Sequence, residues 1–371
     1  MKISKVEVIP IRVPRKEPVR SGTTPGAVEA SEFGVIRIEA DDGTEGLGEI
    51  SITFPRIGFS LCHAARRLIA PRLLGLDPLS RPAILDLIDR ELLGEMSAPY
   101  VRAGFEMALL DLVGRRYRVP LYELLGGRMR DGIPLTWGVY HKPPPDMAAD
   151  AAAGVAAGYA AVKLKVGRAL EDDLAAVRAV AQTIGPGIQL RLDANTAWRT
   201  VPEAAAAIRA LAGAAPIAWV EQPLARANLD GMRLLRQQTG VPIMADESLQ
   251  TLRDAYEIAR AEAADVFNVY VVEAGGVTEA AAIFALARAL DIPCVTGSQA
   301  ELGIGTAAAA HLGVAVPNLP YPCETSGPRR YLRDIVSPGP RIEHGMLYPP
   351  DGPGLGVRLD WDAVREWQVE T

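Results

Sequence analysis

The chain has 371 residues, 49% hydrophobic and 23% charged, long enough for two domains or one large barrel with an addition, and its composition excludes a disordered chain. A net charge of −6 excludes a dominant basic surface for nucleic acid, and no uninterrupted apolar run of about 18 residues marks a membrane span. Three widely spaced cysteines (Cys62, Cys294, Cys323) suggest neither a disulfide framework nor a zinc motif, and the opening MKISKVEVIPIRVP alternates like a strand rather than a leader, so a reducing cytoplasm is the expected setting.

Residues 5–13 and 32–40 are predicted strands, with Asp41-Asp42-Gly43 as the turn toward a third. Helices follow, and Ala103, Met107 and Leu110 recur at the spacing of one helix face. The Gly126-Gly127 pair punctuates the chain, and from about residue 133 short apolar runs alternate with alanine-rich stretches. The runs are PLTWGVY, AAVKLKVG, QLRLDAN, IAWVEQP, VPIMADES, DVFNVYVV, IPCVTGSQ and a weaker LPYPCETS. Between the second and third, Leu170, Leu174, Val177 and Ala181 predict one face of a crossover helix. Such alternation implies parallel strands with right-handed crossovers, and no glycine-rich dinucleotide fingerprint is present. The expected fold class is therefore α/β, a closed (β/α)₈ barrel. The last segment, GMLYPPDGPGLGVRLDWDAVREW, is turn-rich and strand-like and is expected to pack back on the N-terminal unit. The expected organisation is an α+β capping domain over 1–127, the barrel over 128–324, and a 325–371 segment returning to the cap.

Chemistry in such a barrel sits where strands end. Lys163 and Lys165 end the second strand, Asp193 and Asn195 the third, Glu221 the fourth, and Asp246 with Glu247 the fifth. Asp193, Glu221 and Asp246 are each one βα unit apart, so their carboxylates should converge. Their repulsion in a poorly solvated cleft would force protonation unless a cation neutralised it. An all-oxygen set suits magnesium better than zinc, with manganese as the other option. For one acid alone, helix capping or pairing with a basic neighbour is the better account; three in register beside two lysines favour the metal. Lys163 and Lys165 point to the same side of their strand, while Val162, Leu164 and Val166 supply the outward apolar face. Two close ammonium groups and a bound cation should depress the lysine pKa and make a base available near neutrality.

Together, KLK at 163–165, LDANTAW at 192–198, VEQP at 220–223 and ADES at 245–248 resemble the enolase superfamily, and within it the muconate-lactonising (muconate cycloisomerase) subgroup. FEMALLDLVGRRYRVPLYELLGG at 105–127 and PDGPGLGVRLD at 350–360 are similar to its capping-domain segments. The resemblance implies magnesium on Asp193, Glu221 and Asp246, Lys165 as the acid/base, Lys163 assisting by charge, Asn195 as an accessory polar group and Glu324 at the end of the eighth strand. It also implies that two cap loops, at about 16–30 and 51–61, close the site over a small carboxylate, and that the protein is a homo-oligomer.

One position departs from that pattern. The subgroup usually carries a second lysine at the end of the sixth strand, where this chain has Tyr270, five residues before Gly275 of the Gly275-Gly276 pair. A tyrosine, with an ordinary pKa near 10, is a poor exchange partner for a lysine. Tyr270 is equally readable as a space-filling or hydrogen-bonding group and as a catalytic acid. No histidine ends the sixth or seventh strand; His311 reads as a helix residue, and His141 follows the first strand within possible reach of substrate. Trp137 and Tyr140 either line the pocket or fill the core. Ser298, Arg329 and Arg330 belong to the specificity region without a fixed place, and Glu301 equally suits capping the helix that opens at Leu302. One base on one face points to cycloisomerisation, lactone ring opening or β-elimination. The competing expectation is a racemase or epimerase of an amino-acid derivative, or an acid-sugar dehydratase. A catalytically dead barrel is disfavoured by the intact acids and lysines.

Overall fold

The computed structural model describes residues 1–19, 26–52, 57–92 and 98–370; residues 20–25 and 53–56, the centres of the two expected cap loops, lie outside the described residues. The N-terminal part is an antiparallel sheet of Ile3–Val19, Val28–Ala40 and Glu45–Ser51, paired in chain order. Ile11, Val13, Phe33, Ile36 and Ile38 bury completely in it. The helix Ala98–Tyr117 lies across the third strand. Two glycines permit the approach: a Cβ at Gly48 would stand 1.8 Å from the Gly104 carbonyl oxygen, and one at Gly46 would stand 2.0 Å from that of Ala108. Ala103, Met107 and Leu110 are buried, but so are residues all round this helix, because its other side meets the barrel. There Arg102 donates to the Gly275 carbonyl at 2.6 Å. A helix wedged between two layers has no polar face to keep.

The barrel contains seven parallel strands, each hydrogen-bonded to the next in chain order: Thr136–Val139, Ala161–Lys165, Gln189–Asp193, Val220–Glu221, Ile243–Ala245, Val266–Val269 and Cys294–Thr296. The expected eighth run is a closing segment rather than a full strand. Thr136 N donates to the Cys323 carbonyl and Cys323 N to the Pro134 carbonyl, both at 2.7 Å, while Glu324 N donates to Thr296 at 2.8 Å. Pro320 and Pro322 have no N–H to give, which restricts the ladder to these few bonds. Those bonds join the seventh strand to the first and close the (β/α)₈-type barrel.

The crossover helix Leu170–Ile184 buries Asp173, Ala176, Val177, Val180 and Ile184, whereas Leu170 is exposed and Leu174 and Ala181 are half-buried. The expected face is thus rotated. Asp173 turns inward because its carboxylate accepts the Gly167 and Arg168 amides at 2.7 and 3.0 Å, tying the helix start to the strand end. At the C-terminus, Arg341–Glu343 and Met346–Tyr348 form a hairpin that pairs with Ile133–Pro134. After the helix Trp361–Trp367, Val369 N donates to the Pro10 carbonyl of the N-terminal sheet at 3.0 Å. Among the described residues no helix is long and apolar enough to cross a membrane.

Candidate active site

Alternation along short strands decides what reaches the barrel mouth. In the second strand Val162 and Leu164 are fully buried toward the helices, leaving Lys163 and Lys165 facing inward. Lys163 Nζ lies 3.0 and 3.1 Å from the two Glu221 oxygens and 3.3 Å from Asp193 Oδ2, and it also contacts Glu324. Lys165 Nζ donates to Asp193 at 2.5 Å and to Asn195 Oδ1 at 2.6 Å. Asn195 passes the network on, donating through Nδ2 to Glu247 at 3.2 Å. Lysines, acids and asparagine expected from separate strands therefore form one connected cluster.

The expected fall in lysine pKa assumed a bound cation; without one the direction is upward. Burial opposes the charged form of each lysine, but the carboxylates prevail: Glu221, Glu324 and Asp193 hold Lys163 well above its ordinary range, and Asp193 raises Lys165 against the pull of Lys163. Four carboxylates, Asp193, Glu221, Asp246 and Glu324, act on the two ammonium groups here, so the lysine–lysine repulsion loses. Asp193, touched by both lysines, is drawn below the ordinary range despite burial. Asp246 is pushed well up, first by burial and then by Glu247, Glu273 and Asp193; burial and Asp193 push Glu247 to about 7. Among the described residues, no group donates a hydrogen bond to the Asp246 carboxylate, and Glu247 Oε2, Glu324 Oε1 and Asn268 Oδ1 are buried without a partner.

These observations fit a hard cation. The donors are all oxygen, the Asp246 carboxylate has no protein donor among the described residues, and the Lys163 ammonium already stands as a positive charge between Glu221 and Asp193. Among the described residues no three acidic, thiol or imidazole groups are drawn close enough to enclose an ion by themselves; the ammonium stands between the acids instead.

Tyr270 follows the sixth strand directly and is buried at the cavity wall. Its ring lies so close to Gly297 that a Cβ there would stand 2.2 Å from it. Burial, then Asp246, Glu221 and Glu273, push its phenol well above the ordinary range, so it stays neutral. Tyr140 and Ser298 also line the cavity of about 390 Å³ with the lysines, Asp246, Glu247 and Glu324. Trp137 instead faces the adjoining cavity and donates from Nε1 to Asp150 at 2.9 Å. His141 lies there too, neutral because burial and Arg168 draw it down to about 4. His311 is a fully buried helix residue, its Nε2 3.2 Å from the Leu355 carbonyl.

Glu301 does not cap its helix. It accepts from Ser298 Oγ at 2.5 Å and from Gln299 N at 2.9 Å. The cap comes from elsewhere: Glu49 of the N-terminal sheet accepts Leu302 N and Gly305 N at 2.8 and 2.9 Å, and Asp334 accepts Gly303 N at 2.9 Å.

Several polar residues at the site escape sequence reasoning. Asn268, inside the sixth strand, donates to Glu221 and Glu324 at 3.2 and 3.3 Å. Arg191 is fully buried beneath Asp193, 4.0 Å over the Trp219 ring and 2.7 Å from both Thr136 Oγ1 and the Pro322 carbonyl. Gln222 accepts the amides of Asp246 and Ser248 at 3.0 and 3.1 Å and so sets the turn that presents Asp246. Period-two alternation marks Arg191 and Asn268 as inward residues, and that was the available signal.

Comparisons with known proteins agree with this geometry. Residues 3–126 match the mandelate racemase / muconate lactonizing enzyme N-terminal domain, and residues 146–363 match the enolase C-terminal domain-like family. The chain is 35% identical to an L-Ala-D/L-Glu epimerase of Bacillus subtilis, with 96% of this chain and 97% of that protein covered. It is 34% identical to muconate cycloisomerase 1-2 of Acinetobacter lwoffii, covering 100% and 96%. The crystal structure of the N-succinyl Arg/Lys racemase from Bacillus cereus superposes with a TM-score of 0.93 at 28% identity, covering 100% and 99%. A capped barrel, converging strand-end acids and full-length similarity to three isomerases lead to one assignment: this chain is an enzyme of the mandelate racemase/muconate lactonizing enzyme family, in the enolase superfamily.

Proposed function

We propose that Lys165 removes the α-proton of a small carboxylate and that the chemistry then proceeds on that same face, as cycloisomerisation, lactone ring opening or β-elimination. The observation that carries this reading is the asymmetry of the mouth. One side presents Lys165, its Nζ held by Asp193 and Asn195. Another presents Tyr270, a phenol kept neutral by burial and surrounding carboxylates. Burial raises this phenol whether or not an ion neutralises the acids, so it does not match a lysine in returning protons.

Asp193, Glu221 and Asp246 would hold a divalent ion, magnesium in this reading. When bound, it would supply positive charge for the developing carboxylate anion and remove the acid–acid repulsion. Lys163 adds a fixed positive charge beside Glu221 and Glu324, and Asn195 keeps Lys165 Nζ oriented. With Asp193 engaged by the ion, Lys165 would lose the partner that raises it, and its pKa would come down. Glu247 and Asn268 keep Asn195 and Glu221 in place.

The relatives named as a racemase and an epimerase favour a second reading, in which Tyr270 serves as the proton donor of a two-sided exchange. Deuterated water separates the two. Purified enzyme with magnesium and a panel of lactones, unsaturated diacids and N-acyl amino acids should incorporate deuterium with retention at one face. Inversion at a comparable rate overturns the one-sided reading.

A further inference from the structure

Beyond the acids, the cavity wall carries a pair of arginines that no part of the reaction above uses. Arg329 and Arg330 sit in the turn Pro328–Arg330 and line both the central cavity and the adjoining one of about 630 Å³. Arg329 stacks 4.3 Å from the Trp137 ring centre and 5.0 Å from that of Tyr159. It donates to the Ser326 carbonyl at 3.1 Å and to the Tyr159 hydroxyl at 2.9 Å. Arg330 lies 4.8 Å over the Tyr140 ring and donates to the Gly138 carbonyl at 3.1 Å. Gly138 allows this, since a Cβ there would stand 3.2 Å from Nη2.

Rings and neutral carbonyls position these cations without neutralising them. Among the described residues no carboxylate forms an ion pair with either arginine, and Arg329 Nη2 and Arg330 Nε are buried without a partner. Of the acids lining the adjoining cavity, Asp150 accepts Trp137 Nε1 and Lys142 at 2.9 and 3.0 Å, Glu17 accepts Lys142 at 3.2 Å, and Glu29 is exposed and makes no ion pair with either arginine. Burial and the like charge of Arg330 draw Arg329 down to about 10. Burial raises Tyr140, yet Arg330, Lys165 and Arg15 outweigh it and bring its phenol below the ordinary range. Two adjacent, partly dehydrated guanidinium groups without a counter-charge are strained until an anion arrives.

We propose that Arg329 and Arg330 form a second anion subsite, which binds a distal oxyanion of the substrate while its reacting carboxylate lies at the acids and Lys165. This rests on the proposed α-proton reaction and narrows its substrate to dianionic organic acids. The two guanidinium planes are held by their stacks, so little side-chain freedom is lost on binding. Tyr140, with Arg330 over its ring, lines both cavities and so borders both ends of the site.

Calorimetric titration of the magnesium-loaded full chain tests the subsite with glutarate, 3-phosphonopropionate and butyrate as probes. Either dianion should bind at least about tenfold tighter than butyrate, and its margin over the other identifies the preferred distal group. Arg330→Met and Arg329→Met should each remove that preference while butyrate binding, which monitors the fold, persists. Arg329→Lys, which keeps charge but loses the planar stack, should fall between. Equal binding of butyrate and both dianions, or an intact preference in both methionine variants, overturns the subsite. Lys165→Ala separates the two proposals: if it still exchanges the α-proton while the dianion preference persists, the reaction reading falls and the subsite stands.

Discussion

Two buried clusters of acid in this protein look alike in composition and differ in what surrounds them. At the seam between the N-terminal sheet and the barrel, fully buried Glu49 accepts three hydrogen bonds, from Leu302 N, Gly305 N and Ser51 Oγ at 2.8, 2.9 and 2.5 Å. At the barrel mouth, the Asp246 carboxylate accepts none among the described residues, and Glu247 accepts one side-chain bond, with its second oxygen unpartnered. A buried carboxylate saturated by N–H and O–H donors at a helix start is a fastener. One left short of donors beside its own kind is costly to ionise and favours a positive charge nearby. The difference identifies the functional cluster more sharply than any count of acids.

The comparison can be tested by substitution. The largest effect should come from Lys165→Ala, which lowers α-proton exchange by about 10³-fold or more while thermal stability and magnesium binding hold; unchanged exchange would remove the base. Glu49→Ala strands two buried amides and should lower unfolding stability by about 3 kcal/mol in denaturant titration, without altering the metal requirement. A loss of metal dependence there would erase the distinction between the two clusters.

Asp246→Asn should act in the opposite direction. The metal-free protein gains about 1 kcal/mol at neutral pH because an uncompensated charge is gone, and the rise in melting temperature on adding magnesium disappears. A variant still stabilised by magnesium would dissociate Asp246 from the metal.

A pH series on metal-free protein reads the same charges. Glu49 and Glu247 are both raised to about 7 from 4.5. Between those values the folded chain binds protons that the unfolded chain has lost. Their contribution therefore falls as pH rises through that window and is flat below about 4.5. Melts should rise from pH 7 toward pH 5, and Glu247→Gln should flatten part of that slope. An unchanged slope would place the proton uptake elsewhere. The smallest effect should be Tyr270→Phe, which changes the exchange rate less than about tenfold if the phenol is only a wall; a hundredfold loss would make it the proton donor.

Much of the mouth was legible in the sequence because strand geometry is periodic. Once Val162 and Leu164 are outward, Lys163 and Lys165 must be inward, and Asp193, Glu221 and Asp246 repeat one βα unit apart. The raised lysines of the metal-free site were not legible because the direction depends on how many carboxylates arrive, and Glu324 and Asp193 come from different strands. Glu49 was invisible for a related reason: its partners are more than 250 residues away, and nothing local marks it as a cap. The face of the helix Leu170–Ile184 was displaced because Asp173, whose polarity gives no sign of burial, is held inside by two loop amides. The incomplete eighth strand was marked by its prolines.

The contact between Tyr270 and Gly297 has an evolutionary consequence. With a Cβ at 297 falling 2.2 Å from the ring, the two positions cannot change in arbitrary order. A lineage carrying Tyr270 can accept even alanine at 297 only after the tyrosine has given way to a slimmer residue, whereas glycine at 297 leaves every choice at 270 open. Gly297 therefore preserves the freedom to exchange the group at that wall of the cavity, and losing it first would narrow the choice at 270.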